Sequence, residues 1–259
     1  MLWIHRVAKH VNLAGWLFLA LLAGLLEACV RSFALSDSVP APSATLRALV
    51  EGLSTGTLSR HVGTTLEACA EGFALAIVGG VVVGIAIGSS RTLLDATSIV
   101  FEFLRPLPAV ALIPPAIMIL GLGVPMRRFV IAYAAVWPVL VNTLYGARGS
   151  DRILHDVARA SGLTTLERLV RVTLPSALPS IVTGIRLSAS IALLVGVTAE
   201  FVTGTAGIGG YMQRQQLAFQ LPELYAAILL VGLLGYAINT GLAAVARRTV
   251  FWAGEERAV

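Results

Sequence analysis

Lysine is almost missing from this 259-residue chain, and Lys9 is its sole example. A phosphate-binding loop of the form G-x-x-x-x-G-K-[ST] therefore exists nowhere in it, and any ATP-driven work would need hydrolysis in another subunit. Charged residues of both signs reach only 13%. The four histidines are scattered or near the N-terminus, with no Ser-His pairing, no Asp pair inside the apolar blocks and no metal-ligand spacing, which argues against an enzyme. Cys29 and Cys69 lack ligand spacing too. Both fall toward the outer ends of the first two apolar blocks, so two free thiols and one disulfide are both open readings.

Apolar residues fill the space left by charge. They make up 57% of the chain and give a mean hydropathy of +0.84, more apolar surface than a soluble domain of this length buries. The chain belongs in a bilayer. The net charge of +5 and pI near 9.8 would suit nucleic acid, but the basic residues are dispersed among apolar blocks with no aromatic-laced patch, so no nucleic-acid partner is expected.

Six spans are predicted, at 12–33, 65–88, 96–122, 129–145, 180–202 and 225–245. The fold class is therefore an all-α membrane protein, with residues 1–11 a cytoplasmic N-terminus and 12–259 one transmembrane domain. The first span is read as uncleaved; Leu26-Glu27-Ala28-Cys29 resembles a lipoprotein cleavage box, but Glu27 suits that box poorly. Residues 36–63 read as an outer loop with room for one surface helix, and 123–128 as a short outer turn. Gly80, Gly84 and Gly88 put small residues on one stripe of the second span, for packing within the subunit in preference to a dimer contact. The third block carries Pro106, Pro108, Pro114 and Pro115 and cannot be one straight helix. Broken helices at membrane depth line cavities or pack on protein, so this block is the first candidate for a pathway. With both termini inside, eleven basic residues fall inside and six outside, and Arg127-Arg128 is the awkward outer pair.

The longest polar interval of the second half, the loop 150–179, has its own structure. Ser150 or Asp151 can cap a short helix that Gly162 terminates. Thr164 and Glu167 have the spacing of a capping box that opens a second short helix, and Pro175 is expected to end it. Within this loop, Asp156-Val157-Ala158, three residues, Gly162, nine residues, Val172, Thr173 and Leu174-Pro175 resembles the EAA loop of ABC importer permeases, E-A-A-x3-G-x9-I-x-L-P. Asp stands for Glu, and Val for the first Ala and for Ile. Arg105-Pro106-Leu107-Pro108, the run 137–143, Ala199-Glu200 and Gly207-Ile208-Gly209 look like landmarks of the sulfonate, taurine and nitrate branch, so the resemblance covers about 40–250.

The resemblance implies a type I permease fold with both termini cytoplasmic, in a bacterial inner membrane. It implies two ATPase subunits that carry ATP and Mg, a second permease copy, and a periplasmic or lipid-anchored solute-binding protein, with no cofactor bound by this chain. Coupling to the ATPase would fall to Asp156, Val157, Ala158, Arg159, Gly162, Leu174 and Pro175. Pathway candidates are Arg105, Pro108, Trp137, Asn142, Ser188 and Glu200. Arg105 is expected either to pair with Glu102 or to meet an anion. Asn142 should bond to another helix or face the pathway, and Glu200 should snorkel at the outer interface or serve a gate. The branch imports taurine, alkanesulfonates, nitrate or a pyrimidine vitamin precursor, and Arg105 favours an anion. A self-sufficient secondary transporter or channel is the alternative, which an inverted repeat would signal; none is evident between 1–130 and 131–259.

Overall fold

The computed structural model describes residues 13–32 and 39–250, and among these the chain is helical with no strand. The expected cytoplasmic N-terminus lies outside the described residues. Eleven α-helices run in order: α1 Leu13–Ser32, α2 Pro42–Ser54, α3 Thr57–Gly88, α4 Arg91–Leu104, α5 Ile113–Leu120, α6 Val124–Arg148, α7 Arg152–Ala160, α8 Thr165–Arg168, α9 Leu174–Thr203, α10 Ile208–Leu217 and α11 Leu221–Thr249. A 3-10 turn, Ala109–Leu112, leads into α5, and a π-helical turn, Leu169–Thr173, joins α8 to α9.

The centre is a three-helix sandwich in which α6 packs against α3 on one side and α9 on the other. In lipid no hydrophobic force pulls helices together, so close backbone approach and dispersion must do it. The expected glycine stripe serves this purpose: a Cβ at Gly84 would stand 2.8 Å from the Leu140 carbonyl of α6, and Gly80 and Gly88 face the same helix. On the other side, a Cβ at Gly184 of α9 would stand 2.7 Å from the Pro138 carbonyl. Fully buried Met126, Val130, Ile131, Ala135 and Val139 of α6 fill the seam. Around it, α10 and α11 lean on α9, α2 bridges α3 and α11, and α1 packs on α2. Glu27 of α1 accepts from the Ser43 amide (3.0 Å) and hydroxyl (2.8 Å) at the head of α2, a structural task for the residue that suited a cleavage box poorly. Leu75, Val78 and Val82 of α3 point outward, as lipid contacts do.

Among the described residues, four helical runs are long and apolar enough to cross a bilayer: Thr57–Gly88, Val124–Arg148, Thr165–Thr203 and Leu221–Thr249. The proline-rich third block breaks as expected into Arg91–Leu104 and Ala109–Leu120, bent by 87°, and makes a fifth crossing if taken as one. The 20 residues of α1 match the length a crossing needs.

Several expected boundaries move. The second crossing begins at Thr57 inside the supposed outer loop, most of whose remainder forms α2, and the turn before α6 shrinks so that Arg127 and Arg128 lie within the helix. Pro175 does not stop the chain. It lacks an N–H and crowds the carbonyl four residues back, and the π-turn just before it lets the helix run on from Thr165 to Thr203. Cys69 is buried and Cys29 exposed, and both are free thiols.

Candidate functional site

Three regions hold the residues singled out from the sequence. The first is the loop between α6 and α9. Asp151 caps α7 by accepting from the Ile153 amide at 2.9 Å. At the far end Gly162 adopts φ +76°, its amide donates to the Arg159 carbonyl (3.0 Å), and the Leu163 amide donates to that of Ala158 (3.1 Å). That is the two-bond glycine terminator of a helix. A Cβ at Gly162 would touch nothing within 4 Å, so the left-handed backbone and not space demands glycine there. The capping box forms in full, with the Thr164 amide donating to Glu167 (2.9 Å) and the Glu167 amide to the Thr164 hydroxyl (3.3 Å). Asp156 and Arg159 pair at 2.7 Å on the exposed side of α7. Ala158 turns inward, whereas Ile153, Val157 and Leu166 are 67%, 58% and 70% exposed. Leu174 and Pro175 open α9, so this knuckle is joined to a crossing through the π-turn with no break in the helix.

The second region is the 87° bend. A cavity of about 580 Å³ opens beside it, lined among others by Ser98, Glu102, Arg105, Trp137 and Tyr145. Trp137 stands edge-on to Phe101 (6.1 Å) and Tyr133 (5.8 Å), and the Tyr133 hydroxyl donates to the Leu104 carbonyl at 2.6 Å, tying α6 to the end of α4. The indole Nε1–H of Trp137 is buried without a partner, and Pro108 starts the 3-10 turn on the other side of the break. The expected Glu102–Arg105 pair does not form. Both side chains are exposed, where an ion pair gains too little to fix two long side chains. Asn142 bonds within its own helix, donating to the Pro138 carbonyl at 2.8 Å, and not to a neighbouring one. It borders a second cavity of about 510 Å³, with Ser180, Thr183 and Arg186 of α9.

The third region is a buried polar cluster at the outer ends of α3, α6 and α9. Glu200 is 1% exposed, so it does not snorkel. One carboxylate oxygen accepts from Arg127 at 2.8 Å; the other accepts from the Thr65 hydroxyl at 2.7 Å and the Gly209 amide at 3.2 Å. Arg127, 4% exposed, also donates to the Ala206 carbonyl (2.7 Å), and the Thr65 hydroxyl accepts from the Ile208 amide (2.8 Å). The cluster pins the glycine-rich turn that leads into α10. A Cβ at Gly207 would stand 2.2 Å from the Glu200 carboxylate. Arg128, the other half of the awkward pair, is matched by Glu71 of α3. Ser188 is fully buried and donates to the Ala135 carbonyl at 2.6 Å. Ser188 and Glu200 thus sit in helix seams, while Arg105, Trp137 and Asn142 border cavities. Sequence reasoning passed over Thr65 and did not pair Arg127 with Glu200; the usable signal was one unmatched charge of each sign at outer depth on different spans.

A bundle of this kind, with a capped helical knuckle between two crossings, defines a membrane transport subunit, and the chain belongs to the family of binding-protein-dependent transport system inner membrane components, which matches residues 76–250. These are ABC transporter permease subunits and not enzymes. Among its relatives is the nitrate import permease NrtB of Leptolyngbya laminosa, 31% identical over 190 residues, covering 73% of this chain and 68% of that protein. The bicarbonate transport system permease CmpB of Synechococcus elongatus is 32% identical over 189 residues, with coverage of 73% and 68%. In structure the chain is similar to the MetNI methionine ABC transporter in inward-facing conformations, with a TM-score of 0.66 over 74% of this chain and 95% of that one. At 20% identity that likeness shows the fold, the type I importer permease architecture.

Proposed function

We propose that this chain is the transmembrane subunit of an ATP-driven importer for a small anion of nitrate or bicarbonate type, in a bacterial inner membrane. Two ATPase subunits, a second copy of the permease and an external solute-binding protein complete the assembly. The observation that carries the proposal is the knuckle α7–Gly162–α8: capped at every end, it leaves Ile153, Val157 and Leu166 uncovered while joining α9 without a break. Exposed apolar side chains on a rigid helical pair fit a groove in a partner, and rigidity lets a push pass to the crossings instead of being absorbed. Closure of the ATPase pair on ATP would move the two knuckles and switch the pathway between inward and outward access.

Two observations support an anionic cargo. The relatives are named for nitrate and bicarbonate import, and Arg105 borders the cavity at the bend with no carboxylate paired to it among the described residues. Aliphatic sulfonate and taurine share that chemistry; a pyrimidine vitamin precursor does not require it. The test of coupling is Gly162→Pro: the subunit inserts normally and ATP is hydrolysed, but uptake in proteoliposomes is lost. Undiminished uptake overturns the assignment. The test of cargo is Arg105→Ala with labelled nitrate, bicarbonate and taurine, where anion uptake falls while the ATPase subunits still co-purify.

A further inference from the structure

A further cavity lies at neither the bend nor the buried cluster. About 710 Å³ in volume, it lies where the α3–α4 turn, the inner end of α6 and the knuckle converge. Among the described residues its lining includes Arg91, Arg148 and Arg168, together with Ser89, Ser150 and His155, and no Asp or Glu. None of the ion pairs among the described residues involves these three arginines. Of the acidic side chains nearest in sequence, Asp151 caps α7, Glu167 closes the capping box and Asp156 holds Arg159, while Asp95, one turn after Arg91 on α4, does not line the cavity. Arg168 spends one terminal nitrogen on the Thr165 hydroxyl (3.2 Å), while its Nε is buried with no acceptor. His155 Nε2 lies 2.5 Å from the Ser150 hydroxyl. Three guanidinium groups lining one hollow give it a positive potential that favours an anion.

We infer that this cavity is a binding site for a phosphate-bearing anion on the inner face, and its depth at the ends of α3 and α6 points to the headgroup of an anionic phospholipid. At about 1.5 Å per residue the 32 residues of α3 and 25 of α6 outrun the hydrocarbon, which puts their inner ends at headgroup level, where the inner leaflet supplies phosphate and basic pockets between transmembrane helices suit it. Arginine forks match phosphate oxygens two at a time. The site joins the turn after α3 to α8, so an occupant fastens the knuckle to a crossing other than α9. This goes beyond the transport proposal and depends on the membrane orientation, not on the identity of the cargo.

The test uses the full chain purified in detergent, with native mass spectrometry reading the binding of phosphatidylglycerol against phosphatidylcholine. The Arg91→Gln/Arg148→Gln variant is compared with Arg247→Gln/Arg248→Gln, which removes equal charge from the inner end of α11. With about fivefold in affinity for each arginine near the headgroups, the cavity variant weakens phosphatidylglycerol about twenty-fivefold relative to the control. Among the described residues Arg91 and Arg148 find no hydrogen-bond partner for their side chains, so both variants should fold, and the single Arg148→Gln serves as a milder form. Inorganic phosphate is added to delipidated protein in a separate arm. If it raises the melting temperature of the wild type and the control but not of the cavity variant, while lipid binding is unchanged, the site is upheld with a free anion as its source. Equal responses of both variants to both probes overturn the proposal. So does a cavity variant that keeps its lipid and loses the co-purifying ATPase, since the arginines would then face that partner.

Discussion

Glu200 and Arg127 carry the greatest electrostatic risk in the chain, two charges less than 5% exposed at 2.8 Å. Removing one partner strands the other, which costs about 3–5 kcal/mol, whereas replacing both by apolar groups of similar volume costs far less. Glu200→Ala should therefore lower the thermal midpoint of the purified subunit sharply, and Arg127→Met/Glu200→Met should restore most of it. Since the same carboxylate holds the Gly209 amide, limited proteolysis of Glu200→Ala should cut first near the turn into α10. Equal stability of the single and double variants would refute this account. The pair could not be read from the chain because its members lie 73 residues apart, and only packing brings them together. What was legible was local: Asp151, Gly162, Thr164 and Glu167 act within a few residues of one another, and each forms the cap its spacing foretells.

For the helices, backbone proximity decides which substitutions matter. A Cβ at Gly84 would meet the Leu140 carbonyl at 2.8 Å, so Gly84→Val should force α3 and α6 apart and cost about 1–3 kcal/mol, read as a lower melting temperature in detergent. Gly232 of α11 has nothing within 4 Å, and Gly232→Ala should be neutral or slightly stabilising, by up to about 1 kcal/mol. The glycine stripe announced a close packing face but not its partner, since small residues four apart serve any neighbour. The bend in the third block was legible because four prolines leave no straight alternative. The continuity of α9 was not, because a proline read as a stop ignores the π-turn that accommodates it.

For the whole molecule, the order of crossings places the α7–α8 knuckle and the α10–α11 turn on opposite faces. In a Cys29→Ser background, where Cys69 is shielded by burial, Ser161→Cys should react with an impermeant maleimide only from the cytosolic side and Phe219→Cys only from the outside. Labelling of Ser161→Cys from the outside would remove the basis for contact with an ATPase. Fold class, broken block and knuckle were all visible in composition, prolines and caps; the cavities and the buried cluster required the chain to be folded, because each draws on several helices.

From Thr165 to Thr203 the polypeptide is one helical rod of 39 residues. At 1.5 Å per residue it is about 58 Å long, well beyond the thickness of the hydrocarbon. One end is the uncovered knuckle, and Glu200 sits three residues from the other. The helix runs between them without a break, through the π-turn, Pro175 and Pro179, so movement of the inner surface reaches the outer one only by way of those points. Any tilt imposed from the cytosol arrives at the Arg127–Glu200 pair, which must either travel with the rod or come apart.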